Sequence, residues 1–257
     1  MASYKPVEAV LRGLEVLRVL NRKNPATVRT IHWETGVDKS TIIRMLETLI
    51  HAGYVARDAV NGTYSVTGRV LQLSTGFSRY DTASEACAEI LAKFREAQGW
   101  PSDFVIRDDD AMILVQTSRS SGPFNFNRNS GFRAPMLATS VGKAYLASCG
   151  PEETDAILKR LTATTPKMPS RQRILKSLEE IRNAGYALMD EGYSQREYKG
   201  KIWAMAVPVQ QDGHSYGALN MMFLKQTVTH EAAVETYLGP LQSAAAEIAD
   251  ALAKAGI

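Results

Sequence analysis

One short stretch of the sequence carries residues suited to reading a nucleic acid. Ser40, Arg44 and Thr48 are four residues apart, so they lie on one face of a helix. An arginine can donate two hydrogen bonds to a guanine in the major groove, and a serine or threonine hydroxyl can contact a base or a phosphate. Lys39 and Thr41 stand at the start of the same helix, where a phosphate is favoured. The pattern predicts a DNA-reading face; the alternative is the solvated side of an ordinary amphipathic helix.

A second pattern, Ser140-Val141-Gly142-Lys143, has the Ser-x-x-Lys spacing of serine acylases. In those enzymes the lysine accepts the proton of the serine nucleophile. The companion motifs Ser-Asp-Asn and Lys-Thr-Gly are absent from the sequence, and a serine at a helix start is commonly an N-cap. We therefore expect a protein that is not an enzyme. The alternative is a serine-dependent acyl-transfer enzyme that uses Ser140 and Lys143.

Motifs for metals and cofactors are scarce in the sequence. Asp108, Asp109 and Asp110 are adjacent and form either a cation site or a solvated hairpin turn. Cys87 and Cys149 lack the paired spacing of a zinc or redox motif, which is typical of reduced structural thiols. No phosphate-binding loop, dinucleotide fingerprint or paired-histidine motif occurs. We expect neither a metal nor a cofactor.

The elements that must position the Arg44 face follow the order of a helix-turn-helix. Apolar residues at a helical period predict a first helix over 7–20. Thr27 caps a second helix that runs through Thr35, and Gly36 supplies the turn. The third helix is predicted over 39–51 and presents the DNA-reading face.

A wing is predicted directly after the third helix. Two short strands, 54–57 and 63–66, are separated by Asn61-Gly62, a dipeptide that favours a two-residue type I′ turn. Such a hairpin carries Arg57 on one strand and Thr63 on the other. We expect both side chains to contact DNA beside the third helix.

Charge is unevenly divided along the 257 residues. Residues 1–69 contain ten Lys and Arg against six Asp and Glu, a balance of +4, whereas residues 70–257 contain twenty against twenty-one, a balance of −1. A basic segment on a neutral body favours phosphate binding. The longest apolar run, 202–209, is too short to cross a bilayer, and the N-terminus lacks the apolar core of a signal peptide. We expect a cytoplasmic protein without a membrane partner.

The chain beyond the wing predicts a second domain, with a boundary near residue 80 that gives domains of 1–80 and 81–257. Strands joined by hairpins, with helices between and after them, indicate an α+β fold with an antiparallel sheet. The strands are expected at 104–107, 112–118, 124–127, 186–190, 202–210 and 215–223. The helices are expected at 82–98, 140–148, 152–161, 171–184 and 229–254. A capping box at Thr82 and Glu85 opens the first of these helices, and Gly239-Pro240 interrupts the last.

These motifs together resemble the IclR family of transcription regulators. In the first domain the resemblance rests on 12–17, 36–37, 39–41, 44–49 and 53–55. In the second it rests on 134–144, 185–186, 202–209 and 217–220. Segments 100–103 and 108–112 further resemble the branch that contains the activator of hydroxyphenylpropionate catabolism. His32 departs from the family, which usually has a small residue there, and this allows a shifted second helix or a different approach to DNA.

The resemblance implies a winged helix-turn-helix joined to a GAF-like effector domain. It implies operator DNA, a small organic acid and RNA polymerase as partners, and a homodimer or tetramer with 67–98 as the coupling element. It also tilts the expectation toward an aromatic acid as effector and toward activation rather than repression. The DNA contacts are expected from Thr27, Lys39, Ser40, Thr41, Arg44, Thr48, Arg57 and Thr63.

The residues that form the effector pocket in the family can be matched to individual positions of this sequence. The matching residues are Met136, Ser140, Val141, Asp190, Ile202, Ala204, Asn220 and Met222. Ser140 and Val141 offer backbone N–H groups at a helix start, and the large apolar walls favour a large apolar ligand. Asp190 and Asn220 are candidates to bind a ring hydroxyl. Phe124, Phe126 and Arg128 alternate on a predicted strand and either contact a ring and its carboxylate or are core and surface residues.

Overall fold

The computed structural model describes residues 4–74, 76, 78–118, 132–164 and 168–257. The chain divides into two compact units, Met1–Ser78 and Arg79–Ile257. None of the helices in the described residues combines the length and the apolar character that a membrane span requires. The predicted strand at 124–127, with Phe124, Phe126 and Arg128, lies outside the described residues.

Three helices and a two-stranded wing form the first unit, which confirms the predicted helix-turn-helix. The elements are α1 Glu8–Arg22, α2 Val28–Thr35, α3 Lys39–His51, β1 Val55–Asp58, β2 Thr63–Val66 and a 3-10 helix at Gly68–Leu73. Thr27 caps α2 by accepting the N–H of Thr30, and Gly36 ends it with a φ of +68°. Leu20, Ile31 and Leu46 are fully buried where the three helices meet.

The turn of the wing differs from the predicted two-residue turn. Asp58 pairs with Thr63, so four residues connect the strands. Asp58 Oδ1 accepts the N–H groups of Val60 and Asn61 at 2.9 and 3.2 Å, and Asn61 Nδ2 donates to Asp58 Oδ2 at 2.6 Å. The prediction of a type I′ turn was therefore wrong, because the Asp58 side chain organises a longer turn that the dipeptide pattern does not reveal.

A six-stranded antiparallel sheet is the centre of the second unit, in the order β5-β4-β3-β8-β7-β6. The strands are β3 Ser102–Asp108, β4 Ala111–Thr117, β5 Arg133–Pro135, β6 Ala187–Leu188, β7 Ile202–Gln211 and β8 His214–Leu224. In the middle of the sheet Asp103 lies opposite Asn220, and Val105 lies opposite Ala218. Because side chains alternate along a strand, these four residues share one face.

Helices cover both faces of this antiparallel sheet, and the second unit is of the predicted α+β class. They are α4 Ser78–Gln98, α5 Ser140–Ser148, α6 Pro151–Thr164, α7 Arg171–Ala184, α8 Glu191–Tyr198 and α9 His230–Lys254. One core packs α4 and α9 against Phe104, Leu219 and Phe223. The other packs α5, α6 and α7 against Val105 and Ala218, so the face that carries Asp103 and Asn220 lies under α5.

Three sequence-based boundaries were wrong in this unit. Helix α4 begins at Ser78, so Thr82 lies inside the helix instead of capping it. Helix α9 continues through Pro240, because its buried face holds it on the sheet despite the missing N–H. The strand predicted at 186–190 is only Ala187–Leu188, and α8, which the sequence did not predict, follows it.

The acidic turn between β3 and β4 is held by arginines. Arg133 contacts the carboxylates of Asp108 and Asp110, the latter at 2.6 Å, and Arg160 contacts that of Asp109. Among the described residues no cluster of His, Cys, Asp and Glu has the arrangement of a metal site. The three aspartates are therefore explained by ion pairs at a surface turn.

Candidate functional site

The exposed side of α3 carries the residues that were expected to contact DNA. Ser40, Arg44 and Thr48 are all exposed, whereas Ile42 and Leu46 on the opposite side are fully buried. Within the described part of the chain the Arg44 guanidinium has no hydrogen-bond acceptor or ion-pair partner. Arg44 is therefore available to an external acceptor at the centre of an uncluttered helix face.

The start of α3 is fixed by the carboxylate of Asp38. Its Oδ1 accepts the N–H of Thr41 at 2.9 Å and the hydroxyl of Ser40 at 2.7 Å. These hydrogen bonds, led by those from Thr41, lower the pKa of Asp38, so the cap stays ionised. The Ser40 hydroxyl can still accept a hydrogen bond, and Lys39 is exposed beside it.

The remaining expected DNA contacts lie on α2 and on the wing. Arg57 is exposed on β1, and its guanidinium lies over the Tyr64 ring, 5.9 Å from the centroid. Thr63 is half-buried at the start of β2, and the Thr27 hydroxyl is engaged with Thr30. Arg29, exposed in the first turn of α2, adds a cation that the sequence interpretation passed over.

His32 is held in this helix-turn-helix by one hydrogen bond. The residue is half-buried, and its Nδ1 lies 2.7 Å from the carbonyl oxygen of Val37. Because a carbonyl only accepts, Nδ1 donates this hydrogen bond. The imidazole therefore ties α2 to the turn before α3, and α2 keeps the bounds predicted for it.

A small cavity lies between the sheet and the start of α5. It encloses about 30 Å³. Its walls come from β3, β4, β5, β8, the start of α5 and helix α8. The lining residues are Asp103, Val105, Leu114, Phe132, Ala134, Thr139, Ser140, Val141, Met189, Tyr193, Tyr198, Asn220 and Met222. A mostly apolar and aromatic wall with few polar groups is typical of a small-molecule site.

The start of α5 points backbone donors at this cavity. Thr139, and not Ser140, is the N-cap, because its Oγ1 accepts the N–H of Gly142 at 3.1 Å. Ser140 is 1% exposed and lines the cavity. The N–H groups of Ser140 and Val141 have no acceptor among the described residues. The helix start therefore offers a hydroxyl and two amides to an anion.

Gly142 allows the backbone of Met136 to approach the first turn of α5 closely. A Cβ at this position would lie 2.3 Å from the backbone oxygen of Met136 and 2.4 Å from its Cα. The backbone of Met136 therefore packs directly on the first turn of α5. Glycine is required here because no side chain fits between the two segments.

Half of the residues carried over for the effector pocket line the cavity. Ser140, Val141, Asn220 and Met222 do so. Asp190 is exposed and caps α8, accepting the N–H of Tyr193 at 3.0 Å. The other three residues are buried in the core around the cavity and do not line it, namely Met136, Ile202 and Ala204.

Several cavity residues were not found from the sequence. Met189, Tyr193 and Tyr198 belong to α8 and its approach, and α8 is too short to show a clear helical period. Asp103 reaches the cavity because β3 pairs with β8, which lies far along the chain. A cap at Asp190 followed by an aromatic residue was the one available signal for α8.

Lys143, the proton acceptor in the alternative of acyl transfer, is half-buried. Burial lowers the pKa of Lys143, while the nearby Asp190 opposes that change.

Both thiols are buried, and desolvation raises the pKa of Cys87 and of Cys149 to about 12. The thiols are therefore protonated and inert, in agreement with a structural role.

Fold and sites together define a DNA-binding transcriptional regulator with a separate C-terminal domain. The family profile described as the C-terminal region of IclR bacterial transcriptional regulators matches residues 78–250, and that of the IclR helix-turn-helix domain matches 9–59. The first match alone covers more than half of the chain. The chain belongs to the IclR family of bacterial transcriptional regulators.

Individual relatives agree with this assignment. KdgR of Escherichia coli is 25% identical over 94% of this chain and 91% of its own length, and XynR of Escherichia coli is 24% identical over 96% and 97%. Both are named as transcriptional regulators, so the chain is placed among regulators and not among enzymes. Neither name refers to hydroxyphenylpropionate, and the proposed branch stays a prediction.

Solved structures share the same architecture. A transcriptional regulator from a Rhodococcus species is 27% identical, with a TM-score of 0.67 and coverage of 97% of this chain and 99% of that chain. An IclR homologue from Microbacterium hydrocarbonoxydans, solved with 4-hydroxybenzoate, is 16% identical, with a TM-score of 0.66 and coverage of 96% and 100%. The second likeness bears on the fold alone.

Proposed function

We propose that this regulator binds a specific operator through the exposed face of α3 and that a small aromatic acid in the cavity under α5 controls it. The observation that carries the DNA-binding half is the exposed Arg44 between Ser40 and Thr48, whose guanidinium has no partner among the described residues. Lys39, Thr41, Arg57, Thr63 and Thr27 supply phosphate or base-edge contacts around it. In this arrangement α3 enters the major groove and the wing lies along the backbone.

An exposed apolar stripe on α1 supports a homo-oligomer. Val7, Val10, Leu11 and Leu14 are spaced by three and four residues and are each at least half exposed. Leu71 and Leu73, in the segment expected to couple protomers, are also exposed. An exposed apolar surface of this kind is typical of a protein interface. Two protomers present two recognition helices, which matches two half-sites in an operator.

Light scattering tests the oligomer. We expect a mass that is a multiple of 28.2 kDa for the full chain at micromolar concentration. Leu14→Gln places an amide in the stripe and should shift the mass toward a single chain, whereas Arg12→Gln, an exposed change on the same helix outside the stripe, should not. A mass near 28.2 kDa for the unaltered chain, with and without DNA, would remove the oligomer from the proposal.

The acid-binding half of the proposal rests on the start of α5. The Ser140 hydroxyl and the N–H groups of Ser140 and Val141 suit a carboxylate, and the helix dipole adds to their attraction. The apolar and aromatic walls, including Val105, Leu114 and Met222, suit a ring. A cavity of about 30 Å³ is smaller than a ring, so its walls must give way. Methionines at 189 and 222 are unbranched and can repack at low cost.

A thermal-shift screen tests the acid. Phenylpropionates, hydroxybenzoates, glyoxylate and pyruvate are the probes, and an aromatic acid at 100 times its Kd should add about 2.7 kcal/mol to the free energy of unfolding. Ser140→Leu fills the cavity and should abolish the shift, whereas Ser140→Ala keeps the space, removes only the hydroxyl and should reduce the shift without abolishing it. Stabilisation by glyoxylate or pyruvate alone would contradict the aromatic class, and an unchanged shift in Ser140→Leu would contradict the location.

The proposed direction of control is activation, with RNA polymerase as the further partner. The resemblance of residues 100–103 and 108–112 to the hydroxyphenylpropionate branch is its support. A repressor uses the same helix-turn-helix, so transcription in a strain without the protein distinguishes the two. In such a strain, without an inducer, activation predicts that the target operon stays silent. A rise in its transcription would contradict activation.

A further inference from the structure

The cavity contains an acidic residue that an anion-binding site does not need. Asp103 lines the cavity and is only 3% exposed. A carboxylate is rarely buried to this extent unless it is paired or functional, because leaving water is costly for a charge. The cavity therefore carries hydrogen-bond donors at Ser140 and an acidic acceptor at Asp103.

Asn220 fixes the orientation of this residue. Asn220 Oδ1 accepts the backbone N–H of Asp103 at 2.8 Å, and Asn220 Nδ2 donates to Asp103 Oδ2 at 3.4 Å. The two contacts determine which end of the amide faces the carboxylate. Asp103 also makes a further interaction. A carboxylate accepts hydrogen bonds at about four lone-pair sites, so Asp103 can hold several donors at once.

A cation close to Asp103 belongs to the fold and not to the cavity wall. Arg95, in α4, donates to the Ser102 hydroxyl at 3.0 Å and to the Ser102 carbonyl at 3.2 Å. Burial lowers the pKa of Arg95, and attraction to Asp103 opposes that effect. Because Arg95 already offsets part of the negative charge, a neutral donor suits Asp103 better than a second cation does.

We propose that Asp103, oriented by Asn220, selects effectors that carry a hydroxyl group in addition to their carboxylate. The proposal deepens the proposed function and rests on it. The ligand's carboxylate binds at Ser140 and Val141, away from Asp103, because two carboxylates repel each other in a buried site. The ligand's hydroxyl donates to the Asp103 carboxylate. Hydrogen bonds to a charged acceptor discriminate strongly against a ligand that lacks the donor, because the buried charge then loses a partner.

Matched ligands test the hydroxyl without changing the protein. Calorimetric titration of the full chain compares 4-hydroxybenzoate with benzoate and 4-methoxybenzoate, and the corresponding three phenylpropionates with one another. In at least one series we expect the hydroxylated acid to bind about tenfold or more tighter than both others. Equal Kd values within every series that binds would overturn the proposal.

Asp103→Asn tests the residue, with Asp212→Asn as the control. The first change keeps the shape of the side chain and removes its charge, so the ratio of Kd values between the two acids should fall severalfold. Asp212→Asn is the same chemical change in the exposed turn between β7 and β8, and it should leave the ratio of Kd values unchanged. An unchanged ratio in Asp103→Asn would overturn the proposal. If no acid binds the unaltered chain, the proposed function itself fails; if acids bind without discrimination, only the role of Asp103 fails.

Discussion

Gly142→Ala is expected to lower the stability of the second unit, although alanine is the better helix former. The gain in helix propensity is about 1 kcal/mol. Against it stands a Cβ placed 2.3 to 2.6 Å from backbone atoms of Met136, which cannot move aside as a flexible side chain does. Overpacking of this kind costs about 3 kcal/mol. The net loss of about 2 kcal/mol corresponds to a fall of about 4 to 8 °C in Tm.

Circular dichroism melting of the full chain measures this change, and Gly13→Ala is the matched control. Gly13 is also helical, but a Cβ there meets only Met45 Sδ at 3.6 Å, an ordinary contact. The control should melt at the same temperature as the unaltered chain or higher. If Gly142→Ala melted no lower than the unaltered chain, the packing of Met136 on α5 would be wrong.

Arg44→Ala is expected to weaken operator binding by about 1 to 3 kcal/mol and to relax the preference at one base pair in each half-site. The loss arises because the two hydrogen bonds to a guanine disappear. Lys39→Ala removes a cation at the helix start and should weaken all sequences alike, with a smaller salt dependence. Fluorescence anisotropy on an operator selected from a random duplex pool measures both. Equal affinity of Arg44→Ala and the unaltered chain would reject a base-reading role.

Local signals predicted the helix-turn-helix well. Thr27 and Gly36 mark the two ends of α2, and the apolar period of α3 separates Ile42 and Leu46 from Arg44. Each of these signals acts within a few residues, where capping and side-chain spacing decide the structure. The prediction for the turn of the wing was wrong because the Asp58 side chain, and not the Asn61-Gly62 dipeptide, organises that turn.

The cavity was less predictable because its walls meet through long-range pairing. Asp103 lies beside Asn220 only because β3 pairs with β8 in one register. Asp190 was expected to face the ligand, but its carboxylate caps α8, an element that the sequence did not indicate. The four carried-over residues that do line the cavity lie at the start of α5 and on β8, which were both predicted.

In the proposed regulator, an acid in the cavity under α5 controls the affinity of α3 for DNA. The most direct measurement is an anisotropy titration of the selected operator, at constant salt, with and without a saturating amount of the best aromatic acid. Coupling of 1 to 3 kcal/mol is typical of such regulation, so the Kd for DNA should change by about fivefold or more in the unaltered chain. In Ser140→Leu it should not change. An operator Kd that is the same with and without bound acid would show that the acid does not control DNA binding.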